Sequence, residues 1–144
     1  MLYSLLIFNN AGKPRYTLFS KAFKDKKWDE KNVFQAVYNA VSQRSETCCN
    51  FINGNIILND DHATIVYRSF ATLYIVVIVD GNENHLAILD FIQILVETLD
   101  KHFGNVSELD VIFNFEKVSS VINEMICGGI ICETDSDNVI QALE

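Results

Sequence analysis

Proline is almost missing from this sequence, one in 144 residues, and 49% of the side chains are hydrophobic. That combination excludes the polar, proline-rich composition of a disordered chain. Basic residues are scarce: 11 Lys and Arg stand against 19 Asp and Glu, a formal net charge of −8. Unaided binding to nucleic acid or to an anionic membrane is thereby disfavoured, since both need a basic surface; a basic partner surface suits the chain better. Long apolar runs are lacking too. The opening MLYSLLIFNN has no positive n-region and no small-residue cleavage site, and Ala71 to Val79 is about half the length of a membrane-spanning helix, so a soluble cytoplasmic chain is expected. Cys48, Cys49, Cys127 and Cys132 form no CxxC pair, which predicts reduced cysteines that serve packing. His62, His85 and His102 lack metal-ligand spacing. GxSxG, P-loop and GxGxxG motifs are absent, and Gly128 and Gly129 follow a helical pattern, where a helix C-cap is expected of them. No catalytic constellation, metal or cofactor is expected.

What is present fits a single domain over residues 1–144, organised around HLAILDFIQILVETLDKHF, His85 to Phe103. At about 100° per residue, Asp90, Gln93, Glu97, Asp100 and Lys101 gather on roughly a quarter of a helix. Leu89, Phe91, Ile92, Ile94, Leu95, Val96 and Leu99 fill much of the rest, more than one packing surface needs. One face should lie on a sheet and another on further helix or on a partner, so the isolated chain is expected to be poorly soluble. Asp80 to Asn84 precede this helix with turn and N-cap chemistry, and Gly104 follows where a left-handed residue is wanted.

Leu2 to Asn9 reads as a strand buried on both faces, turned by Asn10, Gly12 and Pro14 into a second strand at Tyr16 to Ser20. Val33, Phe34, Val37, Tyr38 and Val41 repeat at helical spacing between Asp25 and Arg44, with Trp28 as a packing anchor. Phe51 to Leu58 suggests a strand broken at Gly54. Exposed His62 then leads to strands at Ala63–Phe70 and Ala71–Val79, the second central. One helix is predicted from Ser107 to the two glycines, and a last short one after Thr134. About five strands joined by short turns, with helices packed on them, make an α+β domain with a largely antiparallel sheet.

Four segments carry a more specific message: LIFNNAGKPR, IVYRSFATLYIVVIVD, LAILDFIQILVETLDKHFGNVSELDVIFNFEKV and INEMICGGIICET. Their motifs NxxGKxR, YRxxAxLY, FxNVxELDxIFNF and GGxxxET, in this order over nearly the whole chain, resemble the small sigma subunits of clathrin-type adaptor complexes. Within the family, GKPR with AILDFIQILVETLDK is most similar to the small chain of adaptor complex three. The resemblance implies a longin-like fold: a five-stranded antiparallel sheet flanked by helices. It also implies pairing with the trunk of a large, delta-type subunit in a heterotetramer with beta and mu subunits, on Golgi and endosomal membranes reached only through the complex. Sigma subunits of complexes one and two, the zeta subunit of coatomer, and a free-standing longin trafficking module are the alternatives, separable by the large subunit that co-purifies.

Family sigma subunits help to read [D/E]xxxL[L/I] signals in cargo tails. Such a signal needs two apolar pockets, each worth roughly 1.5 to 3 kcal/mol, a cation for the acid, and donors for the peptide backbone. By position, Arg15 matches the basic residue of the family site. Ala71 and Leu73 on the strand, Val96 on the central helix, and Val106, Leu109 and Val111 beyond it match the leucine pockets, and Asn105 matches the backbone-binding amide. Arg44 and Arg68 match basic positions read here as solvated or intersubunit charges.

Overall fold

A computed structural model describes residues 1–45 and 49–143, apart from the side chain of residue 56. Cys48 of the expected cysteine set lies outside them. In chain order the elements are β1 (Leu2–Asn9), β2 (Pro14–Phe19), α1 (Lys21–Asp25), α2 (Glu30–Ser42), β3 (Phe51–Asn53), α3 (Gly54–Leu58), β4 (Ala63–Phe70) and β5 (Leu73–Asp80). They continue with α4 (His85–Phe103), α5 (Glu108–Phe113), α6 (Phe115–Met125), β6 (Ile126–Cys127), β7 (Ile130–Ile131) and α7 (Ser136–Leu143).

Five strands pair antiparallel in the order β2-β1-β5-β4-β3, with β5 central as its β-branched run predicts. Alternation along each strand divides the apolar side chains between two faces. Leu6, Phe8, Ile65, Val76 and Ile78 meet Phe23 of α1 and Val33, Val37 and Val41 of α2. Leu5, Ile7, Ile75, Val77 and Val79 meet Ile88, Phe91, Ile92 and Leu95 of α4 and Val118, Val121 and Ile122 of α6. Every residue of β1 is buried, the strand being covered on both sides. The result is the α+β, longin-like arrangement expected, and Trp28 packs edge-on against Tyr3 and Phe23 as an anchor should.

Local chemistry sets the bounds of α4. Asn84 accepts from the backbone N–H groups of Leu86 and Ala87, and Gly104 closes the other end at φ 64°. Its wide apolar arc finds the two surfaces it needs within the chain, the sheet and the α6–α7 layer, while Leu86 stays exposed.

Four expectations need correction. Phe51–Leu58 is a strand only to Asn53, whose side chain then accepts from Asn55 N–H and starts α3. The strand expected from Ala71 begins at Leu73. The helix expected from Ser107 to the glycines is two, broken at Asn114, where φ −117° and ψ 42° leave the helical region. Gly128 and Gly129 do not cap α6, which ends at Met125 with Ile126 already extended; they turn the β6–β7 hairpin at φ 59° and 82°. Leu2 N–H donates to the Gly129 carbonyl at 2.7 Å, and a Cβ on Gly129 would stand 2.9 Å from the Leu2 oxygen, so only glycine allows this hairpin to close on β1.

Candidate functional site

The β1–β2 turn, the β4–β5 turn, the second half of α4 and the start of α5 meet at one end of the sheet. Asn9 Oδ1 accepts from the N–H groups of Ala11 and Lys13, and Asn10 N–H donates to the Thr72 carbonyl at 3.0 Å, which ties the two turns together. Asn9 in turn pairs with Leu73, so Leu73 and the foot of β2 flank the same end of β1.

Arg15 stands there because β2 is irregular. Ile7 pairs with Tyr16 while Phe8 pairs with Pro14, which leaves Arg15 as the extra residue of a bulge. Pro14 has no N–H to offer the ladder, and a bulge is one of the few places a strand accepts proline. Regular alternation would send neighbours to opposite faces. Across the bulge, Tyr16 packs in the α4–α6 core, its ring 5.3 Å from that of Phe115, and Arg15 also reaches this side. Its Nε lies 3.7 Å from Glu108 Oε1 at the head of α5, with the two side chains 22% and 24% exposed.

That distance permits attraction but not a hydrogen bond. Arg15 Nε and Glu108 Oε1 are both sealed from solvent without a hydrogen-bond partner. At an effective dielectric of ~20 the gross attraction is about 4 kcal/mol, and the lost hydration offsets much of it. The Nη atoms of Arg15 make no hydrogen bond among the described residues.

Leu73, Val96 and Val111 belong to one apolar cluster, 5%, 8% and 2% exposed, with Val106 half-buried against it. All three are core side chains in this structure. Leu109 differs: it is 61% exposed on the outer face of α5, one helical turn from Phe113 at 77%, with half-exposed Phe115 beyond. Asn105 sits at φ 96° in the α4–α5 connection, which Asp100 holds by accepting from Asn105 N–H through its carbonyl and from Val106 N–H through its carboxylate. The Asn105 side chain makes no hydrogen bond among the described residues. Ala71 lies in the turn at φ 53°, exposed, and not on the strand as expected.

Ala71 and Leu73 line a cavity of about 520 Å³ with Arg44, Asn50 and Tyr67. Val96 lines another of about 370 Å³ with Arg68, Phe70 and Gln93. Asn50 and Ser69 border both cavities, and Arg15 borders neither. Arg44 is engaged within the chain, its Nε donating to the Tyr67 hydroxyl at 2.9 Å and an Nη to the Cys49 carbonyl at 2.8 Å. Arg68 donates to Gln93. Cys49, Cys127 and Cys132 are free and exposed, so burial in the core is not what they provide. Among the described residues no cluster of His, Cys, Asp or Glu could hold a metal, and no helix is long and apolar enough to cross a membrane.

The helical spacing after Ser107 places Phe115 on the buried face with Val118, Val121 and Ile122, but the break at Asn114 leaves it 49% exposed beside Phe113. The Leu109–Phe113 spacing signals an apolar stripe, whereas the Arg15–Glu108 contact joins positions 93 apart and has no local signature.

Comparison with known proteins adds to this geometry. Residues 1–144 match the family described as clathrin adaptor complex small chain. The chain is 40% identical to the AP-3 complex subunit sigma of Schizosaccharomyces pombe, over 100% of this chain and 85% of that protein. It is 40% identical to the Arabidopsis thaliana AP-3 complex subunit sigma with the same coverage, and 38% identical to the human AP-3 complex subunit sigma-2 over 100% of this chain and 74% of that protein. A homology model of the full-length AP-3 complex in a stretched open conformation contains a similar chain, with a TM-score of 0.69 at 35% identity, covering 99% of this chain and 91% of that one.

Proposed function

We propose, from the premise that the chain belongs to the clathrin adaptor complex small chain family, that it is the small subunit of an AP-3-type adaptor and helps to read acidic dileucine signals. In this reading it pairs with the trunk of a delta-type large subunit within a heterotetramer completed by beta and mu subunits. The complex carries it to Golgi and endosomal membranes, where cargo bound for the lysosome or vacuole is collected. The chain's own part is binding, with no reaction catalysed.

The observation that carries the reading is the bulge that turns Arg15 toward Glu108 of α5, the neighbour in sequence of exposed Leu109. A cation beside apolar side chains is the chemistry that an acid followed by two leucines requires. Leu109 supplies apolar surface already open; Leu73 and Val96 line two neighbouring cavities, Val111 is buried in the core, and Ala71, Val106 and Asn105 lie in the two connections. With Leu73, Val96 and Val111 buried, leucine side chains would have to displace core contacts to reach them, so affinity should be modest and selection should rely on several weak contacts at once. Exposed Phe113 and Phe115 extend the apolar surface beyond what a two-leucine signal covers, which supports a protein neighbour there.

Recovery of the tagged chain from cells, followed by mass spectrometry, tests the assignment. A delta-type large subunit should co-purify in equimolar amount. Recovery with a gamma-type, alpha-type or coatomer large subunit would move the chain to another branch of the family, and recovery alone would remove the adaptor role.

A further inference from the structure

We propose that Glu108 sets how strongly this site weighs the acid of a cargo signal; the inference rests on the reading of Arg15 as the acid-binding residue. Glu108 Oε1 lies 3.7 Å from Arg15 Nε, and neither atom has another partner or contact with solvent. The Nη atoms, free of hydrogen bonds among the described residues, are the donors left for an incoming carboxylate. A guanidinium can accept such a carboxylate in a two-point grip. The incoming charge then meets a pair that is already neutral overall, and it is repelled by Glu108 in a setting about three-quarters shielded from water. Glu108 therefore discounts the acid, leaving the paired leucines as the dominant requirement. The bulge at Arg15 makes this possible, since it brings a β2 side chain to the head of α5.

The assembled adaptor core tests this with two synthetic peptides, one with Glu four residues ahead of Leu-Leu and one with Gln in its place. Discrimination is the ratio of their affinities by fluorescence anisotropy. Glu108→Gln should tighten the acidic peptide by about tenfold, equivalent to about 1.4 kcal/mol, and leave the Gln peptide within about twofold. Glu108→Asp, which keeps the charge, should stay close to wild type. Arg15→Gln should abolish discrimination. If Arg15→Gln abolishes discrimination while Glu108→Gln leaves it unchanged or narrower, the proposal is overturned and the reading of Arg15 stands. If Arg15→Gln leaves discrimination intact, the reading fails and the proposal with it. Should Glu108→Gln not assemble, the wild-type core at rising ionic strength decides: from about 50 to about 300 mM salt, discrimination should change by less than about twofold, and a several-fold loss, as for a lone cation, overturns the proposal.

Discussion

Lys26 and Asp60 meet at 2.8 Å on the surface, whereas Arg15 and Glu108 stand 3.7 Å apart with the facing atoms sealed from water. The first pair is a conventional surface bridge. The hydrogen bond from Lys26 holds the Asp60 carboxyl below its ordinary value, the His62 N–H adds to this, and the Lys26 ammonium is raised in return. A carboxylate depressed in the folded state contributes stability above its unfolded pKa and loses it as pH falls through the folded value. The wild-type chain should therefore melt above Asp60→Asn at neutral pH, by a constant margin down to about pH 5 that closes below about pH 4. A margin that instead widens in acid, read by thermal melts across that range, would contradict the assignment. Lys26 sits at the other end of the scale: its raised value affects stability only at strongly alkaline pH. The Arg15–Glu108 pair has less to do with stability, because lost hydration offsets its attraction.

Among the elements, the β6–β7 hairpin and α4 end in glycines of different kinds. Gly104 is left-handed with nothing within 4 Å of an added Cβ, while Gly129 is left-handed and also presses on Leu2. Gly104→Ala should cost about 1 kcal/mol, the conformational penalty alone, and Gly129→Ala clearly more. Chemical denaturation of the two variants checks the order, and equal losses would mean that the hairpin yields without resistance. The bounds of α4 were legible because periodicity, an Asn N-cap and a terminal glycine agree. The α3 turn was not, since Phe51–Leu58 fits a buried strand as well as a short helix until Asn53 caps it. Gly128 and Gly129 were misread because a glycine pair after a helical pattern looks the same whether it ends the helix or turns a hairpin two residues later. At the candidate site, Arg15 and the apolar set could be named from the resemblance. The bulge that aims Arg15 and the carboxylate that faces it depend on strand pairing and on contacts across the fold. Burial also changes which variant is informative: Val96 is 8% exposed, so Val96→Asp places a charge in the core and removes the fold along with any binding.

At the scale of the whole molecule, the chain exposes Leu86, Leu109, Phe113, Phe115 and Ile130, and two of these, Leu109 and Phe113, share one stripe of α5. The wide apolar arc of α4 suggested a partner, yet α4 is largely satisfied by the sheet and the helices beside it. Among the described residues, three of these exposed side chains, Leu109, Phe113 and Phe115, gather on α5 and at the break before α6. The isolated chain should accordingly associate or precipitate, and co-expression with a large-subunit trunk should rescue it. A stable monomer in size-exclusion chromatography without that trunk would show that the surface needs no cover. The central claim is that this end of the sheet, with Arg15 on one side and α5 on the other, holds paired leucines. Leu109→Ser tests it most directly, because the side chain is exposed and its loss leaves the core intact. In an anisotropy titration of the assembled core with a peptide carrying Glu four residues ahead of Leu-Leu, the variant should bind about tenfold or more weakly, as expected for removing one apolar wall, with an unchanged melting temperature. Wild-type affinity in a Leu109→Ser core would contradict it.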